Sequence, residues 1–327
     1  MTKGLKQKII EMVAPDLEKV EIALEQNLKP NVELVKKIAS HLLFSGGKRL
    51  RPLLMIHSAR ICGYNNEFDI VFSIIFEYLH AATLLHDDVV DEADTRRGKK
   101  AAHIKWDAPK VVLTGDFLLA RALDIASKTK EPDIISVIAK ITQDMSQGEI
   151  DQLDKKGKLD LSEKEYAEII KRKTAVLIQG ACKSGAILAK ASKEKKDALN
   201  EYGYHLGMAF QMADDLLDYL ASAKELGKNP GADMREGKLT LPLIHSLANA
   251  SQKDRVWMEN AITAKKFIPE QFEKLKEKLY MYKGIEYTQK KAQDHVKKAK
   301  AFLDGLHDCR SKQLLCMIAD YSIERKV

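Results

Sequence analysis

Apolar residues recur at three- and four-residue intervals along almost the whole chain, while alternation over strand-length windows is scarce. That period predicts helices, each with one buried face. Two-residue hairpin signals are missing between the apolar runs, so no sheet is expected. Breakers mark the helix ends at Pro30-Asn31, Gly46-Gly47, Gly63, Gly98, Pro109, Pro132, Gly157, the stretch from Gly227 to Gly237, Pro269, Gly284 and Gly305. About a dozen helices are expected between them. The longest apolar run, Ile70 to Leu85, is interrupted by Glu77 and His80. It falls short of the roughly 20 apolar residues that a spanning helix needs, and it predicts a buried core helix. No Pro-rich linker, low-complexity tract or fixed-period repeat divides the pattern, so residues 1–327 are expected to form a single all-α domain.

Composition narrows the class without naming a chemistry. With 327 residues, 45% of them apolar and 31% charged, the chain can bury a substantial core and has the balance of a soluble protein. Cys62, Cys182, Cys309 and Cys316 show neither metal spacing nor a disulfide framework, which fits the reducing cytoplasm. Charges throughout the first twenty residues, and Pro15, argue against a signal peptide. Net charge is +7, and residues 251–327 hold 17 Lys and Arg against 11 Asp and Glu. The basic stretch Gln289 to Lys300 reads as a solvated helix face, because it lacks the aromatic-rich apolar side of an interfacial helix. Zinc-finger spacing and interleaved aromatic and basic residues are both missing, so nucleic acid is not an expected partner.

The chemistry lies in two acidic clusters of identical spacing, Asp87-Asp88-Val89-Val90-Asp91 and Asp214-Asp215-Leu216-Leu217-Asp218. Each ends a strongly apolar helical stretch, and its first and last aspartates fall one turn apart on one face. Like charges at that spacing destabilise a helix by about 0.2–0.5 kcal/mol per pair in water, and by more beside apolar surroundings. Cations would offset the repulsion. Mg²⁺ is the hard-ligand solution, since it takes one or two carboxylates and completes its shell with water and phosphate oxygens. A lone cluster would more often be a solvated acidic helix end; the second copy reverses that balance.

Cationic segments accompany the clusters. Gly46-Gly47-Lys48-Arg49-Leu50-Arg51-Pro52 joins a flexible glycine pair to three cations and to a proline suited to a first helical turn, a plausible anion site. Arg96-Arg97-Gly98 follows the first cluster closely and offers forked phosphate donors. Lys173-Thr174 interrupts a helix, and Lys228 and Lys238 flank the glycine-rich stretch after the second cluster. Such lysines are usually only solvated, but beside a diphosphate they could neutralise leaving-group charge.

With these residues in place the chain resembles the trans-isoprenyl diphosphate synthases, specifically the long-chain, octaprenyl-like polyprenyl group. The matching segments are residues 46–52, 84–91, 96–98, 173–174, 207–218 and 227–242, and Tyr321 to Lys326 is similar to the family's closing helix. The resemblance implies a multi-helix bundle around a central cavity, the isoprenoid synthase fold. It implies Mg²⁺, about three ions per active site, with Asp87, Asp91 and Asp214 as ligands and Asp88, Asp215 and Asp218 acting largely from behind them. Lys48, Arg51, His80 and Arg97 would bind the diphosphate of isopentenyl diphosphate; Arg96, Lys173, Thr174, Gln211, Lys228 and Lys238 would face the allylic diphosphate. A histidine on an apolar helix is more often a satisfied core residue, and a buried amide such as Gln211 can simply serve the backbone. Their match to the family favours binding.

The implied reaction is successive 1'-4 condensation giving an all-trans polyprenyl diphosphate, with a quinone side chain as the expected use. Ala82 and Thr83, small residues a turn before Asp87, resemble the open channel of long-chain enzymes; Ile141 and Met145 would form part of a lower floor or simply pack. A geranylgeranyl or farnesyl diphosphate synthase differs only in product length, a class I terpene cyclase lacks the paired second cluster, and a non-catalytic subunit of a heteromeric synthase should have lost aspartates. The family implies a homodimer and leaves room for transient membrane contact during product release.

Overall fold

The computed structural model describes residues 4–220, 231–264 and 268–324. Helix makes up 79% of the structure. The first ten helices are α1 (Leu5–Leu28), α2 (Glu33–Leu43), α3 (Leu50–Ile61), α4 (Phe68–Val90), α5 (Ala102–Trp106), α6 (Ala108–Ser127), α7 (Pro132–Lys155), α8 (Glu163–Ile170), α9 (Val176–Leu188) and α10 (Lys193–Leu220). Helices Ala232–Arg235, Leu241–Asn249, Gln252–Ile262, Pro269–Met281, Gly284–Leu303 and Arg310–Ile323 follow. The breakers fall where expected: Pro132 and Pro269 open helices, Pro109 lies in the first turn of α6, and Gly157 takes a left-handed φ of 78° just beyond α7. The single sheet among the described residues is a hairpin, β1 (Thr95–Arg96) with β2 (Lys99–Lys100), antiparallel in the register Thr95↔Lys100 and Arg96↔Lys99. Pattern reading missed it because its strands are two residues long and carry no apolar alternation.

Two compact units make up the chain. The first comprises Met1–Lys140, Leu177–Asn200 and Leu303–Ile318. Its centre is α4, packed against α1, α2, α3, α5 and α6. Phe72 through Leu79 are buried without a break, so the predicted core helix is present. At 23 residues α4 is long and apolar enough to cross a membrane, yet most of it is enclosed by protein. Burying Phe72, Ile74, Ile75 and Phe76 stabilises the unit by about 1.5–3 kcal/mol per side chain. Polar ties fix the helix in register. Tyr78 donates to the Leu24 carbonyl at 2.7 Å, and Arg60 joins Asp16 at 2.9 Å to the buried Asp69 at 2.7 Å. The end of α4 lies close on α6: a Cβ at Gly115 would come within 2.3 Å of His86 Nε2.

The second unit comprises Ile141–Val176, Glu201–Phe302 and Ala319–Val327. Met208, Met212, Leu216 and Tyr219 of α10 meet Phe272, Leu275 and Leu279 in its core, with Tyr219 stacked on Phe272 at 6.1 Å between ring centroids. That face repeats at three and four residues along α10, which leaves Asp214 exposed on the other side.

Candidate active site

In the first unit the acidic cluster ends α4. Asp91 is the C-cap and its N–H bonds the Asp87 carbonyl at 2.8 Å, so the two half-buried carboxylates sit on the last turn. A helix C-terminus is the negative pole of the backbone dipole, which adds to the mutual repulsion of these aspartates and makes the end attractive to a cation. Asp88 has a different task. It is 1% exposed, and one of its oxygens accepts from Arg96 Nε at 2.7 Å and Nη2 at 2.5 Å. Arg96 ends β1, and the turn after it is made by Arg97 and Gly98 at φ 52° and 74°. Two left-handed residues form the tight turn whose twist suits a hairpin, and a left-handed arginine there stores strain. Arg97 Nη1 donates to the Gly46 carbonyl. A Cβ on Gly47, at φ 154°, would meet Arg97 Nη1 at 3.3 Å, so this glycine leaves room for the guanidinium.

The three cations of the glycine-led segment divide in their roles. Lys48 is exposed and Arg51 half-buried. Arg49 is 3% exposed, and it donates to both oxygens of Glu21 at 2.6 and 3.1 Å, to Glu77 at 2.9 Å and to the Leu43 carbonyl at 2.7 Å. It braces the start of α3 and is spent before any ligand arrives. His80 is half-buried on α4. Loss of water around its ring, followed by the charges of Arg51, Arg97, Arg96 and Arg49, holds the imidazole well below the usual histidine range. With Arg49 already paired, the charges of Arg51, Arg97 and Arg96 beside a neutral ring favour an anion.

The helix that runs through α8 and α9 is broken by a π-helical turn, Lys171–Ala175, which lies in the second unit and carries Lys173 and Thr174. Such bulges are rare and concentrate at functional sites. Two glycines hold this one from different helices. A Cβ on Gly148 of α7 would lie 2.8 Å from the Lys173 nitrogen, and one on Gly207 of α10 would lie 2.5 Å from the Ala175 Cα. Lys173 Nζ bonds Glu149 at 2.5 Å and Gln152 at 2.6 Å. Thr174 donates to Gln211 Oε1 at 2.7 Å, and Gln211 Nε2 donates on to Asp215 at 2.7 Å. Tyr166 donates to the other Asp215 oxygen at 2.5 Å.

Asp215 is itself buried, and burial, with Asp214 and Asp218 beside it, pushes its carboxyl up to about 7 against the pull of these donors. Asp218 is 1% exposed and accepts the N–H groups of Ala232 and Asp233, both at 3.1 Å. It fastens the segment in which Lys238 pairs with Glu236 at 2.5 Å. Asp88, Asp215 and Asp218 thus hold other protein groups, while Asp87, Asp91 and Asp214 remain more open to solvent.

Lys228 lies outside the described residues. Ala82 is 4% exposed, and Thr83 is half-buried with its hydroxyl on the His80 carbonyl at 2.8 Å. Ile141 is buried and Met145 half-buried, a turn apart on α7 in the second unit. Sequence reasoning missed Glu149, Gln152 and Tyr166. Gly148-Glu149 followed by Gln152 was a usable signal, since it sets a carboxylate and an amide a turn apart; Tyr166 gave none. Among the described residues no three His, Cys, Asp or Glu side chains gather into a ready-made metal group.

The polyprenyl synthetase family model matches residues 32–279. The chain is 34% identical over 325 residues to octaprenyl diphosphate synthase of Escherichia coli (strain K12), which covers 98% of both chains. It is 33% identical over 311 residues to heptaprenyl diphosphate synthase component 2 of Bacillus subtilis (strain 168), covering 95% of this chain and 88% of that one. Among solved structures it is similar to the polyprenyl synthase from Caulobacter crescentus CB15 complexed with calcium and isoprenyl diphosphate, with a TM-score of 0.93 and 35% identity over 100% of this chain and 99% of the other.

Proposed function

This chain belongs to the polyprenyl synthetase family, and from that premise we propose that it extends an allylic diphosphate with isopentenyl diphosphate to a long all-trans polyprenyl diphosphate. The observation that carries the reading is the end of α4. The half-buried carboxylates of Asp87 and Asp91 lie on the same helix as the neutral His80, whose ring feels the charges of Arg51, Arg97 and Arg96. Carboxylates and guanidiniums side by side suit a diphosphate held partly by a divalent cation and partly by direct donors.

The donors fit Mg²⁺: Asp87, Asp91 and Asp214 offer hard oxygen, and a cation that takes only one or two carboxylates per ion needs no preassembled group of three. Bound there, the ions would stabilise negative charge on the departing diphosphate. The Caulobacter neighbour, complexed with calcium and isoprenyl diphosphate, supports a divalent cation beside this class of ligand.

Lys48, Arg51, His80 and Arg97 bind and orient the isopentenyl diphosphate. In the first unit Asp88 fixes Arg96, and in the second Lys173, Thr174, Gln211 and Lys238 are the polar groups; each is assigned to the allylic diphosphate by its match to the family, as is Lys228 outside the described residues. The allylic C–O bond breaks with its electron pair leaving on diphosphate, the double bond of isopentenyl diphosphate attacks the cation, and a proton is lost to the departing diphosphate. No enzyme nucleophile takes part. Burial of the Cys182 thiol pushes it up to about 12, so it offers no thiolate at neutral pH.

Octaprenyl and heptaprenyl synthases among the relatives, and small residues at Ala82 and Thr83, support a long product. All six aspartates are present, which favours a chain that carries out the chemistry itself; a cytoplasmic homodimer with one catalytic domain per chain is part of the same proposal. The test is the purified chain alone with Mg²⁺, farnesyl diphosphate and labelled isopentenyl diphosphate. Extended product is expected, and Asp87→Ala or Asp214→Ala should lower turnover by at least about 10²–10³ while the helical fold is kept. Activity of these variants within a few-fold of wild type at saturating Mg²⁺ would sink the assignment. Product appearing only after a second, different chain is added would replace the homomer with a heteromeric synthase.

A further inference from the structure

We infer that Glu149, seconded by Gln152, is the positioning residue that aims Lys173, and that its loss acts on the allylic diphosphate and not on isopentenyl diphosphate. This rests on the reading that Lys173 faces the allylic diphosphate. Within five residues α7 grips the π-helical turn four times. Gly148 lets the helix approach until a Cβ there would stand 2.8 Å from the Lys173 nitrogen. Asp151 holds the neighbouring Arg172 at 2.5 Å. Glu149 and Gln152 hold the Lys173 ammonium at 2.5 and 2.6 Å.

An ammonium has three N–H donors in fixed tetrahedral directions. Glu149 and Gln152 use two of them, and the third is pointed by the other two. Without such partners a lysine head wanders on a four-carbon stem, and that freedom has to be given up when the substrate binds. The second observation concerns the far oxygen of Glu149. Its Oε1 is buried and meets no donor among the described residues. Native structures leave few buried polar atoms in that state, and each calls for an explanation. A carboxylate present only to satisfy the helix packing would have both oxygens bonded. One whose sole partner among the described residues is Lys173 is explained by the lysine.

The experiment measures initial rates with each substrate varied in turn for Lys173→Met, Glu149→Gln, Gln152→Leu and the double variant Glu149→Gln with Lys173→Met. Lys173→Met should raise the KM of the allylic diphosphate. Glu149→Gln should raise that same KM about tenfold, the usual scale for one charge-assisted hydrogen bond, and leave the KM of isopentenyl diphosphate within about twofold. Added to Lys173→Met, it should change kcat/KM by less than about twofold, because a positioning residue has nothing left to position. Gln152→Leu, which removes a neutral acceptor, keeps the question answerable if Glu149→Gln does not fold; it should raise the allylic KM by about threefold.

Losses that multiply in the double variant, or that fall equally on both substrates, would overturn the inference and mark Glu149 as merely structural. A lower allylic KM in Glu149→Gln would also overturn it, since the carboxylate would then compete with the substrate for Lys173. If Lys173→Met leaves the allylic KM unchanged, the role of Lys173 itself falls, and the inference with it. If only Lys173→Met has an effect, that role stands and the inference alone fails.

Discussion

At His80 the surroundings of one ring decide what it can do. Desolvation and the charges of Arg51, Arg97, Arg96 and Arg49 hold the imidazole neutral, well below its ordinary range. The folded chain therefore binds fewer protons there than the unfolded chain, and His80 costs stability as pH falls through the unfolded value of about 6.5. A diphosphate brings negative charge into that ring of arginines, so binding should raise the pKa of His80. The expected result by NMR of the labelled imidazole is a titration well below that of a free histidine without ligand, moving upward when inorganic diphosphate is added. A ring that titrates like free histidine in the unliganded protein, or one unmoved by diphosphate, would remove His80 from the anion site. Arg49 shows the opposite outcome for a charged residue: the N–H donors of its guanidinium are taken up by Glu21, Glu77 and the Leu43 carbonyl.

At the scale of elements, the π-helical turn and the hairpin do the positioning, and both depend on glycine where backbones or side chains come close. Gly207 allows α10 to reach the π-helical turn, since a Cβ there would come 2.5 Å from the Ala175 Cα and 2.7 Å from its Cβ. Gly207→Ala should cost about 1–3 kcal/mol of stability by overpacking. It should also displace Lys173 and Thr174, raising the allylic KM more than that of isopentenyl diphosphate. Urea unfolding and steady-state kinetics check the two parts separately. Wild-type stability in Gly207→Ala would show that the two helices yield easily and that the contact does not hold the turn. In the hairpin, Gly98 at φ 74° completes the turn that directs Arg97 to Gly46.

For the whole molecule the central question is how far the product grows. Ala82 is buried on α4 less than two turns before Asp87, where an added ring must displace either packed core or the path of the tail. Ala82→Phe should shift products to about farnesyl or geranylgeranyl length while ionisation continues, because the aspartates and lysines are untouched; overpacking of about 1–3 kcal/mol is the accompanying cost. Chromatography of dephosphorylated products decides it. A folded, active Ala82→Phe enzyme that still makes the long distribution would mean that the tail passes elsewhere.

What could be read along the chain was whatever local spacing encodes. The helical period, the breakers at Pro132, Gly157 and Pro269, the paired aspartates and the cationic segments all follow from residues a turn or two apart, and the structure keeps them. The core helix was legible as an apolar run for the same reason. Tertiary structure decided the roles within those motifs. Arg49 looked like one of three equivalent cations until Glu21 and Glu77, each 28 residues away, were seen to hold it. Lys173 and Thr174 could be located from sequence, but the grip of Glu149 on the one and of Gln211 on the other needs helices brought into contact across Gly148 and Gly207. Spacing sets which residues share a face of one helix; which charges meet across helices depends on how those faces pack, and no local pattern carries that.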